Sequence, residues 1–423
     1  MKKNISNVKE KFKKYKILVQ NFSYLSLLRI SDMLIPLITY PYLIRVLGKD
    51  IYGLVIFAQT IIGFLVMLVE FGFNLTATQE ISINRDNKIK LGVIVSSVLI
   101  IKFILFIISF VILSGMIFFI SRAHEYQILF YLTMWMCLSN VILPTWYFQG
   151  IEKMKYIALL NVISKLFFLI AILFIVKSPN DFLYVPLING LGVIITGIIS
   201  LYIIFYRHNI NFSFPKLNVI QSYFKESLFI FFSNISIQFY VNFNKIIIGL
   251  LLGMKEVAYF DLAEKITSIL KMPFLILGQA IYPKIAKEKN KNFLKKMFIA
   301  SIGFSLILVF VSILLSEKII ILLGGVDMLA AAPVVKILIF SVIPIIISLF
   351  FANLLLITWG YKKEYFKLRL FANFIYFCII GGIYMANLIN INSLAVSYLI
   401  IETLTAVIAV FMANRNRINF LYK

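Results

Sequence analysis

The sequence predicts an all-α membrane protein that crosses the bilayer many times. Of its 423 residues, 61% are apolar and 14% are charged, whereas soluble domains average about half apolar and a quarter charged. Continuous apolar runs such as 93–120 and 157–176 have the length that a helix needs to cross a hydrocarbon core of about 30 Å. Transmembrane β-barrels show alternating segments of about ten residues instead. A helical bundle in lipid is therefore expected.

Breaks at Gly, Pro and Asn, together with clusters of charge, divide the apolar runs into twelve predicted spans. A basic segment at 207–227 separates two sets of six, which predicts one lobe at 1–206 and another at 228–423. The segment itself is expected either to lie along the cytoplasmic interface or to be a plain connecting loop. The spans are 22–46, 51–73, 91–120, 128–148, 156–176, 182–206, 228–252, 257–282, 297–323, 329–358, 365–386 and 393–413.

The formal net charge of +23 is distributed in a way that predicts topology. Lys and Arg concentrate in the N-terminal segment, the even-numbered loops and the C-terminal tail, and few lie in the odd-numbered loops. Short cytoplasmic loops of membrane proteins carry such an excess, so both termini are expected in the cytoplasm. The same pattern explains the basicity without nucleic acid as a partner.

Two stretches in the two halves of the chain resemble each other. They are Leu47-Gly48-Lys49-Asp50-Ile51-Tyr52 and Leu252-Gly253-Met254-Lys255-Glu256-Val257-Ala258-Tyr259. Each lies in the first outside loop of its half. Because six spans per half is an even number, both halves enter the membrane from the same side. This predicts a parallel repeat about a pseudo-twofold axis along the membrane normal.

The sequence contains no pattern that indicates an enzyme or a cofactor. Its two histidines, His124 and His208, fall in predicted loops on opposite sides of the membrane. No phosphate-cradling Gly-rich loop and no metal-ligand spacing is present. We therefore expect neither catalysis nor a metal or other cofactor.

Charged side chains inside the predicted spans are the candidate functional residues. A charge in the middle of a bilayer costs roughly 2.5–3.5 kcal/mol on insertion scales, which favours a hydrated cavity or a substrate path. Because the cations outnumber the carboxylates, such a cavity would attract an anion. The candidate substrate-binding residues are Arg29, Lys102, Lys165, Lys245, Lys265, Lys271 and Lys336; the carboxylates are Asp32, Glu70, Glu264 and Glu402, with Asp32 and Glu70 as candidates for ion coupling.

Local pairing offers a structural explanation for some of these charges. Arg29 and Asp32 are three residues apart, and Lys265 follows Asp261 by four, so each pair could be neutral on one helix face. Glu70, near the end of its span, is either a proton or cation site or a solvated carboxylate at a helix end.

Position along the span separates the remaining cations. Lys102 and Lys336 lie near span ends, from which a lysine can reach the interface. Lys271 lies close to a proline in the eighth span. Lys165 and Lys245 are deeper and lack an obvious local partner, so they are the strongest candidates to face a cavity.

Short distinctive motifs fill the N-terminal third of the chain. The most specific is the run Phe71-Gly72-Phe73-Asn74-Leu75-Thr76-Ala77-Thr78. The others are Asn21-Phe22-Ser23-Tyr24-Leu25, the run 36–48, Tyr52-Gly53, Phe57-Ala58-Gln59 and Trp146-Tyr147-Phe148-Gln149-Gly150. On these motifs the sequence resembles the Wzx family of O-antigen flippases, which belongs to the multidrug/oligosaccharidyl-lipid/polysaccharide exporter (MOP) superfamily.

The resemblance implies a function and an architecture. It implies a V-shaped bundle of two lobes that alternates between inward and outward openings. Such a bundle moves undecaprenyl-pyrophosphate-linked O-antigen repeat units from the cytoplasmic to the periplasmic leaflet of the bacterial inner membrane. It also implies membrane lipid, an O-antigen polymerase and a chain-length regulator as partners. Under this hypothesis Arg29, Lys165 and Lys245 attract the pyrophosphate. Relatives often carry a basic residue at the position of Gln79, which weakens a phosphate-binding role there.

Other functions of the same fold remain alternatives. An ion-coupled multidrug antiporter mostly carries organic cations, for which an excess of interior Lys and Arg is unsuitable. A lipid-II-type flippase has similar charge requirements but commonly carries extra helices. A membrane-embedded glycosyltransferase or polymerase usually has large outside loops, which this chain lacks.

Overall fold

The computed structural model describes residues 2–119 and 124–420, and their side chains except at 2–23, 25, 26, 29, 30, 33, 229, 233, 234, 236–241, 283 and 362. Within these ranges the regular structure is helical, with no β-strand. The α-helices are α1 (Lys2–Glu70), α2 (Phe73–Ile83), α3 (Lys88–Phe119), α4 (Gln127–Thr133), α5 (Trp135–Ile142), α6 (Thr145–Gly150), α7 (Met154–Ile175), α8 (Tyr184–Tyr202), α9 (Leu217–Leu251), α10 (Met254–Glu288), α11 (Lys291–Leu314), α12 (Ser316–Gly324), α13 (Ala332–Phe340), α14 (Val342–Ser348), α15 (Lys362–Met385) and α16 (Ile391–Arg415).

Nine helical stretches of the described residues are long and apolar enough to cross a membrane. The first, Leu34–Ile83, contains parts of two predicted spans, because Gly48 (φ 73°, ψ 163°) breaks the helix at the predicted first outside loop. These stretches confirm an all-α, multi-pass membrane fold, while twelve as the number of spans stays a prediction. The other eight are Lys88–Phe119, Gln127–Gly150, Met154–Ile175, Pro179–Arg207, Lys291–Leu314, Val326–Leu356, Lys363–Met385 and Ile391–Arg415.

Several predicted spans are interrupted helices. The fourth consists of α4, α5 and α6, and the break after α5 falls at Leu143 and Pro144, where proline lacks the N–H that would continue the helix. The sixth ends in a π-helix at Ile203–Arg207, and the tenth includes another at Leu349–Leu356. Interrupted backbone of this kind often occurs at functional positions.

Contacts divide the chain into two compact units. The first comprises Met1–Tyr42 and Ala58–Phe232, and the second comprises Leu43–Phe57 and Ser233–Lys423. In the first unit α7 packs on α8 and α2 packs on α6. In the second unit α10 packs on α13 and α15 packs on α16. Residues 43–57, the tip of the first helical hairpin, thus belong to the second unit. The predicted lobes placed this segment in the first.

The predicted linker 207–227 has two parts. Its first part is held on α3: the amide of Ser213 donates to Ser96 Oγ at 2.9 Å, and Gly92 lies against the carbonyl of Asn211. Its second part is helical, because α9 begins at Leu217 and continues through the predicted seventh span. The segment is therefore neither a plain loop nor separate from the helix that follows it.

The two similar stretches, 47–52 and 252–259, lie side by side in the second unit. Their glycines, Gly48 and Gly253, occupy the same position and both have positive φ (73° and 145°), a conformation that glycine adopts without steric cost. A Cβ atom on Gly53 would lie 1.7 Å from the carbonyl oxygen of Met254 and 3.3 Å from the amide nitrogen of Ala258. The absence of a side chain at Gly53 lets two backbones touch.

We predict that Gly53→Ala destabilises the protein by about 1–3 kcal/mol, because the added methyl group overlaps a backbone carbonyl that cannot rotate away. Thermal unfolding of the purified protein in detergent, followed by loss of the monodisperse gel-filtration peak, measures the effect. Gly63→Ala in the same helix is the control, since its Cβ would meet nothing within 4 Å. Equal melting temperatures for the two variants would contradict the close approach.

Candidate functional site

A group of four charged side chains and one tyrosine lies in the second unit, with Lys245, Asp261 and Tyr52 buried. Lys245 of α9 contacts Asp261 Oδ1 at 3.5 Å and Glu264 Oε2 at 2.7 Å. Lys265 contacts Asp261 Oδ2 at 2.5 Å, and Tyr52 donates to the same oxygen at 2.8 Å. Lys265 also donates to the Tyr52 hydroxyl. We refer to these five residues as the Asp261 cluster.

The Asp261 cluster is electrically neutral, since two lysines face two carboxylates. The side chain of Asp261 is only 5% exposed, and a carboxylate so buried needs partners for its oxygens. The pairing of Lys265 with Asp261 is confirmed. The sequence shows no local partner for Lys245, and in the structure its partners lie on the neighbouring helix rather than one turn away. The cluster therefore adds no net positive charge to the interior.

Sequence reasoning missed Tyr52 as part of this cluster and gave Asp261 only a local role. A signal was present for each. Tyr52 belongs to the repeated stretch, and Asp261 lies in the predicted eighth span beside Glu264 and Lys265. Counting Asp261 with the other carboxylates reduces the predicted excess of positive charge.

An ion pair between Lys165 of α7 and Asp32 of α1 is the corresponding feature of the first unit. The two side chains are 31% and 32% exposed, so this pair is more accessible than Asp261, whose side chain is 5% exposed. Lys165 therefore has a partner on another helix, which spacing along its own helix does not predict. Asp32 pairs across helices, and its predicted neighbour Arg29 has a side chain outside the described residues.

Lys102 compensates for the interruption of the fourth span. In a regular helix the carbonyl of Asn140 would accept from the amide of residue 144, but Pro144 has no N–H. The amine of Lys102 donates to this carbonyl at 3.1 Å, and the side chain is 1% exposed. Lys102 therefore does not reach the interface, and the explanation by position at a span end is wrong. Its amine satisfies a backbone group that the proline leaves without a donor.

The two remaining predicted cations have different surroundings. Lys336 lies 3.5 Å from Glu317, and both side chains are substantially exposed, which fits a lysine near a span end. Lys271 is partly exposed on α10 and forms no ion pair with any described side chain. Among the predicted cations whose side chains are described, Lys271 and Lys102 form no ion pair within 4 Å with a described carboxylate.

Two of the motifs noted in the sequence, the run 71–78 and the run 146–150, pack against each other in the first unit. Thr78 donates to the carbonyl of Trp146 at 3.3 Å, and a Cβ on Gly150 would lie 2.6 Å from Ile81. Their polar ends are joined through Asn74, whose amide nitrogen donates to Glu70 at 2.6 Å and whose oxygen accepts from Thr145 at 3.4 Å.

Glu70 is consequently held by a hydrogen bond in the protein interior. Its side chain is only partly exposed, and its contact with Asn74 Nδ2 is short. These contacts favour the interpretation of Glu70 as part of an internal polar chain over that of a solvated helix end. A role in ion coupling stays a prediction.

A cavity of about 320 Å³ opens in the first unit beside α2 and the start of α9. Two of its lining residues are carboxylates, Glu80 and Glu226, and the others are Asn218, Val219, Ser222 and Tyr223. Two negative charges in one cavity disfavour an anionic ligand. This cavity is therefore not a candidate for pyrophosphate.

We predict that Asp261→Asn destabilises the protein by about 3–5 kcal/mol, because it leaves two lysines facing one carboxylate in a buried site. Thermal unfolding in detergent measures the loss. The control is Glu317→Gln, which removes one partner of the exposed pair with Lys336 and should cost about 1 kcal/mol or less. Similar melting of the two variants would show that the Asp261 cluster does not stabilise the second unit.

Known proteins resemble this chain over most of its length. The profile of the family described as "Polysaccharide biosynthesis protein" matches residues 18–289. Two bacterial relatives carry the name "Putative O-antigen transporter". The one from Escherichia coli (strain K12) is 29% identical over 363 residues, which are 84% of this chain and 86% of the relative. The one from Shigella dysenteriae is 28% identical over 292 residues, which are 68% and 72% of the two chains.

Solved structures show the same fold at lower identity. A multidrug resistance MATE family transporter of the MOP superfamily, in an inward-facing conformation, aligns with a TM-score of 0.71 and 16% identity over 93% of this chain and 98% of its own. An outward-facing structure of a MATE family transporter gives 0.59 at 16% identity, covering 95% and 94%. A MOP superfamily transporter from Pyrococcus furiosus gives 0.57 at 16% identity, covering 94% and 93%.

These likenesses agree with the resemblance that the motifs carry. The family profile covers more than half of the chain, and the structural alignments extend over nearly all of it. The chain therefore belongs to the polysaccharide biosynthesis protein family, and it has the fold of the solved MOP superfamily transporters.

Proposed function

We propose that this multi-pass membrane protein is a flippase for undecaprenyl-pyrophosphate-linked oligosaccharide, the O-antigen repeat unit. It moves this lipid from the cytoplasmic to the periplasmic leaflet of the bacterial inner membrane. The main support for the proposal is the alignment with the Escherichia coli relative named "Putative O-antigen transporter". This alignment covers 84% of this chain and 86% of the relative. Because the alignment spans nearly both full lengths, it includes both units rather than one shared segment.

The proposal includes a topology and partners. Both termini lie in the cytoplasm, as the distribution of Lys and Arg favours. Two six-helix lobes give alternating access to a cationic cavity, as the resemblance implies. An O-antigen polymerase and a chain-length regulator use the delivered product. No covalent bond changes during transport, so the chain is a transporter and not an enzyme.

Accessibility separates the predicted cations into two groups. The lysines of the Asp261 cluster and Lys102 are buried or committed to other groups, so in this proposal they hold helices in place. Lys165 is about one third exposed beside Asp32, and Lys271 has no ion pair with a described side chain. We therefore propose Lys165 as the first candidate for pyrophosphate recognition in the first unit, with Arg29 as the further candidate there, and Lys271 as the candidate in the second unit.

Asp32 has a natural role in this arrangement. While its carboxylate is ionised, it competes with a pyrophosphate for the amine of Lys165. Uptake of a proton by Asp32 would remove that competition and leave Lys165 free for the substrate. Asp32 would thus couple proton movement to substrate binding, and Glu70 is the second candidate for that role.

We predict that deleting the gene abolishes display of the surface polysaccharide and causes single lipid-linked repeat units to accumulate on the cytoplasmic face. The reason is that polymerisation needs substrate on the periplasmic side. Extraction and sizing of lipid-linked intermediates, together with surface staining, measure both effects, and complementation with the intact gene is the control. Normal display with altered drug resistance would favour the multidrug antiporter instead. Accumulation of a peptidoglycan precursor would favour another lipid-linked substrate.

A charge-swap series tests the role of Lys165. We predict that Lys165→Gln lowers display by at least about tenfold, the effect of losing about 1.4 kcal/mol of substrate interaction. The swapped variant, Asp32→Lys with Lys165→Asp, should remain defective because the cation has changed helix. Lys336→Gln, at an exposed pair, is the control. Full recovery of display in the swapped variant at wild-type protein levels would show that the pair has only a structural role.

A further inference from the structure

Three cations converge on one histidine at one end of the first unit. Lys153 lies with its amine 3.2 Å from Nε2 of His208, and Arg207 is the preceding residue. Lys88, at the start of α3, is close enough to affect the titration of the same imidazole. The aromatic ring of Tyr156 lies 6.0 Å from both the His208 ring and the Arg207 guanidinium.

The backbone conformation around His208 fixes the positions of Arg207 and His208. The π-helix at Ile203–Arg207 ends there, and the amide of His208 donates to the carbonyl of Ile203 at 2.9 Å. Asn209 then takes a left-handed conformation (φ 52°), which turns Ile210 into the protein interior. The local interruption thus fixes Arg207 and His208 beside α6 and α7 instead of letting the helix continue.

The three cations lie at the level of a membrane surface. Lys88 begins one candidate span, Lys153 directly precedes another, and Arg207 ends a third. Because successive spans cross in opposite directions, these three ends lie on the same side of the membrane. Tyr202 and Tyr206 stack nearby on the outer surface of the helix and are 60% and 72% exposed, as expected for aromatic residues at the headgroup level.

The imidazole of His208 is neutral in this setting. A lysine amine can only donate, so Nε2 accepts from Lys153 and Nδ1 carries the proton, 3.0 Å from the Tyr147 hydroxyl. Burial lowers the pKa of His208 to about 4, with further contributions from Lys153, Arg207 and Lys88.

The surrounding charges leave the local field positive. The carboxylate that neighbours Lys153 in the sequence, Glu152, is directed to Arg85 at 3.5 Å. The groups that face His208 from the packed elements are therefore Lys88, Lys153 and Arg207 as charges, with Tyr147, Phe148 and Tyr156 as rings. None of these groups is a carboxylate.

We propose that Lys153 and Arg207, which lie beside His208, form a binding site for the phosphate of an anionic phospholipid headgroup. They supply charge-assisted hydrogen bonds to the phosphate oxygens, and Lys88 at the start of α3 adds to the positive field. The position at the end of three spans places the phosphate at its natural depth while the acyl chains stay in lipid. Basic pockets between spans at the cytoplasmic surface are known to suit such headgroups. This site does not depend on the identity of the transported substrate.

The two histidines of the chain provide the measurement and its reference. The full-length protein, labelled at histidine, is titrated by NMR in nanodiscs of phosphatidylcholine and in nanodiscs that also contain phosphatidylglycerol. His124→Gln assigns the two resonances. His124 is exposed and lies between two spans on the opposite side, so its shift reports the general surface potential. We expect the pKa of His208 to rise by about one unit more than that of His124, because an anion beside the imidazole favours its charged form.

Variants and other phosphate compounds distinguish phospholipid binding at this site from a general surface potential and from other phosphate ligands. Lys153→Gln with Arg207→Gln should remove the additional shift, whereas Lys177→Gln, beyond the other end of α7, should retain it. Equal shifts of both histidines would overturn the proposal. So would a full shift with inorganic phosphate in neutral nanodiscs, or a shift with a polyprenyl diphosphate but not with phosphatidylglycerol. If the double variant does not fold, the wild-type comparison of the two histidines still decides the question.

Discussion

A hydrocarbon environment offers no hydrogen-bond partner, so each polar group inside a span must find one within the protein. This constraint explains the positions of side chains that otherwise look like a liability. Pro144 interrupts a helix and leaves the carbonyl of Asn140 without a donor; Lys102 arrives from a neighbouring helix to satisfy it. A proline and a lysine that would each disfavour a membrane span on their own are tolerated together.

The same constraint separates interior charges that stabilise the fold from those that remain accessible to a substrate or a proton. In the Asp261 cluster every charge faces an opposite charge, the group is neutral, and its central residues Lys245 and Asp261 are buried. Its contribution is to orient α9, α10 and the tip of the first hairpin. The Lys165–Asp32 pair is more accessible, so its partners can exchange with water, a proton or a substrate. Burial, more than residue type, distinguishes charges that hold the fold from charges available for transport.

Sequence patterns predicted the helical class, the break at Gly48 and the local pair of Asp261 with Lys265, because each depends on residues close in the chain. They did not predict the partners of Lys165 and Lys245, which lie on other helices and depend on how helices pack. Pro144 lies inside the predicted span 128–148, whose interruption was not predicted; nor was its compensation by Lys102, since spacing along one helix contains no information about its neighbour. The start of α9 inside the predicted linker was not predicted because its first residues mix polar and apolar side chains instead of forming a continuous apolar run.

The inclusion of residues 43–57 in the second unit has a consequence for biosynthesis. Tyr52 and Asp261, which share a hydrogen bond, are 209 positions apart in the chain. At about 5–20 residues per second, roughly 10–40 s pass between the synthesis of one partner and the other. During this interval the first hairpin is inserted in the bilayer with its polar tip unmatched. Completion of the nascent second half, rather than insertion of the first, is therefore the step that commits this chain to its final structure.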